Sequence, residues 1–157
     1  MRYLLAFLPF LTAPALSASA QSVKPLIDTQ NYVFVAASAQ PMAGSERRLT
    51  INSYTLKITK GKIISSLPYF GRENNVPSDE TENALAFTSS KFTYTITPTK
   101  DDGWKVSIKP KDTRDLSQIK LTISSDGYTV VNASFSGNGF DPIQFTGMIV
   151  APDTPTP

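Results

Sequence analysis

Apolar and polar residues alternate with a period of two through most of the chain. Phe92, Tyr94 and Ile96 alternate with Thr93, Thr95 and Thr97. Trp104, Val106 and Ile108 alternate with Lys105, Ser107 and Lys109, and Ile119, Leu121 and Ile123 with Lys120 and Thr122. Successive side chains of a strand point to opposite faces, so each run predicts a strand with one apolar face, and Trp104 is expected inside. Tyr128 to Phe135 and Ile143 to Val150 complete the second half. Asp101-Asp102-Gly103 and Asp126-Gly127 supply the turns between these runs.

The first half is less regular. Asn31 to Ser38 is apolar on both faces, with Tyr32, Phe34 and Ala36 on one and Val33 and Val35 on the other. Such a strand should be covered on both sides. Pro41 to Arg48 reads as a polar loop. Leu49 to Lys60 reads as one long strand, apolar first at Leu49 and Ile51, then at Tyr54, Leu56 and Ile58. That change of parity predicts a β-bulge near Asn52-Ser53. Lys60-Gly61 turns the chain into a strand from Lys62 to Phe70. Glu73 to Thr81 reads as an exposed loop, and Leu85 and Phe87 open the next strand. Only Val23 to Thr29 has helical character.

About nine strands follow one another through short turns, and no run of about 10–12 residues keeps a helical period. The expected fold is all-β: an antiparallel, mostly up-and-down sheet with a short N-terminal helical segment. Such a sheet either closes into a lipocalin-like barrel or folds over as a two-layer sandwich. Residues 21–150 form one domain. Residues 151–157, rich in Pro and Thr, are expected to be a disordered tail.

The first 20 residues depart from this pattern. Arg2 is followed by an apolar stretch from Tyr3 to Leu16, and Ala18-Ser19-Ala20 ends it with small residues. That order predicts a secretory signal peptide at 1–20 and an exported protein, periplasmic or extracellular. The apolar stretch is short of the roughly 20 residues of a spanning helix. No Cys follows it, so no lipid anchor is expected.

Composition narrows the chemistry. The chain of 157 residues has 15 Lys and Arg, 13 Asp and Glu, no Cys and no His. Disulfides, thiol nucleophiles, Cys- or His-ligated zinc and His acid–base catalysis are excluded. The near balance of charge does not suggest nucleic acid. Asp101, Asp102, Asp126 and Asp141 lie beside Gly or Pro in expected turns, where Asp bonds its own backbone. Ser117 and Lys120 match a Ser-x-x-Lys spacing, but that spacing shares a face on a helix, not on a strand. No catalytic, metal or cofactor site is expected.

The string Leu67-Pro68-Tyr69-Phe70-Gly71-Arg72 is the sharpest feature. With Tyr32 to Ala36, Pro41, Phe87-Thr88-Ser89, Lys91-Phe92, Ile108 to Asp112, Leu121 to Ser124, Gly127-Tyr128 and Ile143 to Ile149, it resembles the domain of unknown function 4251 family. The resemblance spans about Ile27 to Val150. It implies a secreted protein, chiefly of Bacteroidetes-type bacteria, and brings no catalytic residues. This chain continues the string with Glu73-Asn74-Asn75, where members often have a small residue and an aromatic.

In the string itself, Pro68 belongs at a strand end. Gly71 permits a sharp exit, and Arg72 can fork onto a carboxylate or stack on a ring. Pro68, Tyr69, Phe70, Gly71 and Arg72 are therefore the candidate rim for a ligand or partner, or else a plug of the barrel end. The expected function is non-enzymatic binding of a small apolar or amphipathic ligand. The alternative is a structural or interaction module that contacts another envelope protein. A hydrolase using Ser, Lys or carboxylates comes third. Mass analysis of the exported protein is expected to find Gln21 as its first residue. Met1 retained on material recovered from the periplasm would overturn the leader assignment.

Overall fold

The structure is a computed structural model, and it describes residues 22–50, 53–70, 85–137 and 139–152. The expected leader, the loop Glu73–Thr81 and the tail from Asp153 lie outside these residues. One helix, α1 (Val23–Asp28), precedes ten strands: β1 (Tyr32–Pro41), β2 (Arg47–Arg48), β3 (Thr55–Thr59), β4 (Lys62–Ser66) and β5 (Ala86–Ser89), then β6 (Phe92–Pro98), β7 (Trp104–Pro110), β8 (Leu116–Ile123), β9 (Tyr128–Phe135) and β10 (Ile143–Val150). They form one sheet in the order β5-β4-β3-β1-β10-β9-β8-β7-β6, with β2 beside β1. Every pairing is antiparallel.

This order decides between barrel and sandwich. β5 and β6 are the two edges of the sheet, yet only Ser90 and Lys91 separate them in the chain. Consecutive Cα atoms are about 3.8 Å apart, so this link spans about 11 Å at most. The sheet must therefore curl until its edges meet. Partners followed from Phe87 lead through Ser65, Leu56 and Phe34 to Ile149. They continue past the β8–β9 turn, where the Ile149 amide bonds the Gly127 carbonyl, to Trp104 and Pro98 at the far end of β6. That stagger is the shear of a barrel. β5 and β6 are successive halves of one long crossing, the first bonded to β4 and the second to β7. The wall is nearly closed, with a seam beside β6, whose strand partner among the described residues is β7.

The corner between β5 and β6 is held by one carboxylate. Asp112, just past β7, accepts hydrogen bonds from the Ser89 hydroxyl and from the amides of Ser90 (2.9 Å) and Lys91 (3.1 Å). The Lys111 amide also donates to the Lys91 carbonyl at 2.7 Å. The Ser89 hydroxyl and the Ser90 amide hold the Asp112 carboxyl below the ordinary aspartate value.

Several sequence expectations are corrected. The expected count of about nine strands agrees with the ten among the described residues, but several boundaries differ. The stretch Leu49–Lys60 is not one strand: β2 and β3 pair successive parts of β1, with an excursion between them. Asn52 lies outside the described residues. Among the described residues, the register of β1 shifts between Ala36 and Ser38. The Leu49 amide bonds the Ala37 carbonyl, and the Ala36 amide bonds the Tyr54 carbonyl, so the chain leaves and rejoins β1 around this shift. The expected loop Pro41–Arg48 thus loses Pro41 to β1 and Arg47 and Arg48 to β2. The strand from Lys62 ends at Ser66 rather than Phe70. Trp104 is half-buried rather than inside, because it stands at the barrel end.

The interior is packed. Tyr32, Phe34, Leu56, Ile58, Ile63, Ile108, Val131 and Phe145 have 0% accessible surface. Zero accessibility holds against internal voids as well as bulk solvent, so no water-sized cavity touches these side chains. Across the interior, the hydroxyls of Tyr32 (β1) and Tyr94 (β6) are hydrogen-bonded at 3.0 Å. Burial pushes both phenols up, Tyr94 to about 12. At β10, a Cβ on Gly147 would lie 2.0 Å from the Val35 carbonyl oxygen and 2.9 Å from the Phe34 ring. Only glycine admits β1 this close.

Removing the charge of Asp112 should loosen the corner. Its folded pKa is depressed, so its contribution is present above the unfolded value, about 3.9, and is lost as pH falls through the folded value. Asp112→Asn is expected to melt below the wild type at pH 7, and the gap should close below about pH 4. Equal melting temperatures at pH 7 would show that the corner holds without this carboxylate.

Candidate functional site

The barrel has two ends, and a segment of chain crosses each. At one end lies α1, with Ile27 fully buried and Val23 beside the β8–β9 turn. Lys24 and Asp28 pair along its exposed side. At the other end, the chain leaves the wall after β4. Leu67 is buried in the core. Tyr69 reaches to the opposite side of the mouth, to the end of β9 and the loop before β10. Its ring meets Phe135 edge-on at 5.4 Å and Phe140 at 5.3 Å. Phe135 and Phe140 are themselves 5.2 Å apart. The Tyr69 hydroxyl donates to the Asp141 carbonyl at 3.0 Å. Edge-to-face pairs of this kind add about 0.5–1.5 kcal/mol to the area they bury. Phe70, half-buried, lies under the Arg47 guanidinium of β2, whose Cζ is 4.8 Å from the ring centroid.

Of the five candidate rim residues, Pro68, Tyr69 and Phe70 are thus at one barrel end, each half-buried. Gly71 and Arg72 lie outside the described residues. Tyr69 and Phe70 do not alternate as strand neighbours, because β4 has already ended. The sequence carried no signal that Phe135, Phe140 and Arg47 would join them. These partners come from distant strands, and only closure of the barrel brings them together.

The acids fall where turn chemistry puts them. Asp101 and Asp102 are exposed in the β6–β7 turn, with Asp102 at φ 53°. Asp126 accepts the Tyr128 amide at 3.0 Å, and Gly127 takes φ 90°. Among the described residues no group of three or more carboxylates gathers as a metal site. Ser117 stands at a register shift in β8 and donates to the Ser134 carbonyl, whereas Lys120 is exposed further along. No helix of the described residues is long and apolar enough to cross a membrane.

A second surface lies on the outer wall. Met148 pairs with Tyr128 on one side and with Val35 on the other, and Val150 pairs with Val33. Tyr128 and Met148 are each 44% exposed. Val33, Val35, Val130 and Val150 are half-buried around them. This makes an apolar strip across β9, β10 and β1.

The profile of DUF4251, a domain of unknown function, matches residues 16–149. The chain belongs to the DUF4251 family. The crystal structure of a DUF4251 family protein from Bacteroides eggerthii DSM 20697 superposes with a TM-score of 0.62 at 15% identity, covering 85% of this chain and 87% of that one. At that identity the likeness speaks for the fold. No curated protein matches the chain. Residues that carried the resemblance to DUF4251 have structural work in this barrel. Ser89 and Asp112 hold the corner, Leu67 and Tyr69 close an end, and Gly147 lets β1 approach β10.

Melting or urea titration should separate the roles of Tyr69 and Phe70. Tyr69→Ala is expected to lose about 2–3 kcal/mol, less than the roughly 3–5 of a fully buried aromatic. Tyr69→Phe should lose about 0.5–1.5 kcal/mol, the worth of one hydrogen bond. Phe70→Ala should lose about 1 kcal/mol, since its cation–π contact is partly solvated. A loss at Phe70 equal to that at Tyr69 would mean that Tyr69 does not anchor this end.

Proposed function

We propose that the chain is a non-enzymatic, exported interaction module that docks on another envelope protein through the outer strip of β9, β10 and β1. One observation carries this reading. Asn31 to Ser38 is apolar on both faces, and within the chain only one face is fully buried. Val33 and Val35 extend instead into a strip with Met148, Val150, Tyr128 and Val130. Contiguous exposed apolar surface on a soluble domain is characteristic of contact sites. Six residues are far fewer than the roughly 20–30 a side of a stable standard interface. They suit the apolar centre of a reversible contact.

A small apolar ligand inside the barrel is the weaker reading, because the described interior positions are filled by their own side chains. Ligand capture at the mouth would have to use Phe70 and the exposed part of Tyr69.

A photo-reactive residue placed at Tyr128 is expected to give a discrete heteromeric adduct in the envelope of the producing bacterium. The adduct should vanish when Met148→Lys is added to the same chain, and a probe at Thr93 should not form it. An adduct that survives Met148→Lys, or forms equally from Thr93, would refute the strip as the contact. Adducts only between copies of this chain would replace the partner by self-association.

A further inference from the structure

Charge is segregated over this barrel in a way that the near-balanced composition hides. Among the described residues no strand contains an Asp or a Glu, whereas the strands carry Arg47, Arg48, Lys57, Lys62, Lys105, Lys109 and Lys120. Asp28 is in α1, and the other acids among the described residues lie in turns and loops. Three of the cations gather on β7 and β8. Ser107 pairs with Lys120, so Lys120 is the diagonal neighbour of both Lys105 and Lys109. Diagonal neighbours on one face lie about 7–8 Å apart, and like charges so placed repel. All three are exposed, and the salt bridge among the described residues is elsewhere, at Lys24 and Asp28.

The same face is grooved. A groove of about 350 Å³ runs over it, bordered by Thr95, Thr97, Lys105, Lys120, Thr122 and Asn132. A second, of about 500 Å³, shares Thr97, Lys105 and Thr122 and continues to Lys100. Asp101, at its far end, is the one acid on either lining. Hydroxyl and amide groups therefore stand between the ammonium groups; the Thr95 hydroxyl donates to the Ser107 carbonyl at 3.4 Å and keeps its lone pairs for a ligand.

We propose that this face, β6 to β8, docks a linear anionic polysaccharide. Lys105 and Lys109 are four residues apart on one strand, about 13 Å at the usual rise. A single small anion does not span them, whereas a chain with repeated carboxylates does. Thr95, Thr97, Thr122 and Asn132 match the hydroxyls of a sugar. No aromatic ring stands among the outward positions of β6 to β8, so the face lacks the stacking platform that single-stranded nucleic acid uses.

The test is calorimetric titration of the purified protein with a polygalacturonate oligosaccharide at low salt. Binding is expected, weakening as salt rises. The triple variant Lys105→Gln, Lys109→Gln, Lys120→Gln should bind about tenfold more weakly or worse, through loss of released counterions. A charge-matched control, Lys57→Gln, Lys60→Gln, Lys62→Gln, removes the same charge from the β3–β4 hairpin and should leave affinity unchanged. Circular dichroism checks that both variants stay folded. No binding of polygalacturonate would overturn the proposal, and so would equal weakening by the control. Equal binding of uncharged dextran would remove the role of the lysines. A DNA duplex bound as tightly as polygalacturonate would show a general polyanion surface and overturn the assignment to glycans.

Discussion

Closure of the wall rests on the corner at Ser90 and Lys91. The chain must pass there from the side of β4 to the side of β7 without a loop, and three donors on that corner converge on Asp112. The remaining architecture follows from this passage. Because the crossing is continuous, the strands on either side are staggered, and stagger sets the tilt and width of a barrel. Because the width is small, side chains from opposite walls meet, as the hydroxyls of Tyr32 and Tyr94 do. The described interior positions are filled by their own side chains.

The two segments that lie across the ends have the same logic. A barrel closed along its length still exposes its core at both mouths. Here a short helix covers one, and the turn of chain through Leu67 and Tyr69 covers the other. The string that looks most like a binding motif in the sequence is thus, in part, what a small barrel needs in order to keep water out of one end.

How much was legible beforehand varied with the range of the interactions. β7, β8 and β9 were readable because Gly103 or Gly127 marks a turn of each, and β10 because apolar Ile143, Phe145 and Gly147 alternate with Gln144 and Thr146. The fault came in the first half. Leu49 to Lys60 carries a parity change that reads as a bulge in that segment. Among the described residues the register shift is in the partner β1, between Ala36 and Ser38, while Asn52 lies outside them. Trp104 alternates as a core residue, yet it stands where the wall stops, and periodicity has no information about where a barrel ends. Nothing in the sequence pointed to the role of Asp112 at the corner, since its partners are more than twenty residues away. Phe135 and Phe140 showed nothing that links them to Tyr69, for the same reason. The double-sided apolarity of Asn31 to Ser38 was visible, but which face the chain itself would cover was not.

Among the described residues every strand charge is a cation and the acids lie in α1, turns and loops, which has a consequence for the protein in acidic surroundings. Acid neutralises carboxylates, and the described ones sit off the sheet. Acidification therefore does not shift the whole surface evenly. It erases the negative zones and leaves the cationic flank as the dominant field of the molecule. The balance of charge over the described surface is thus itself a function of pH.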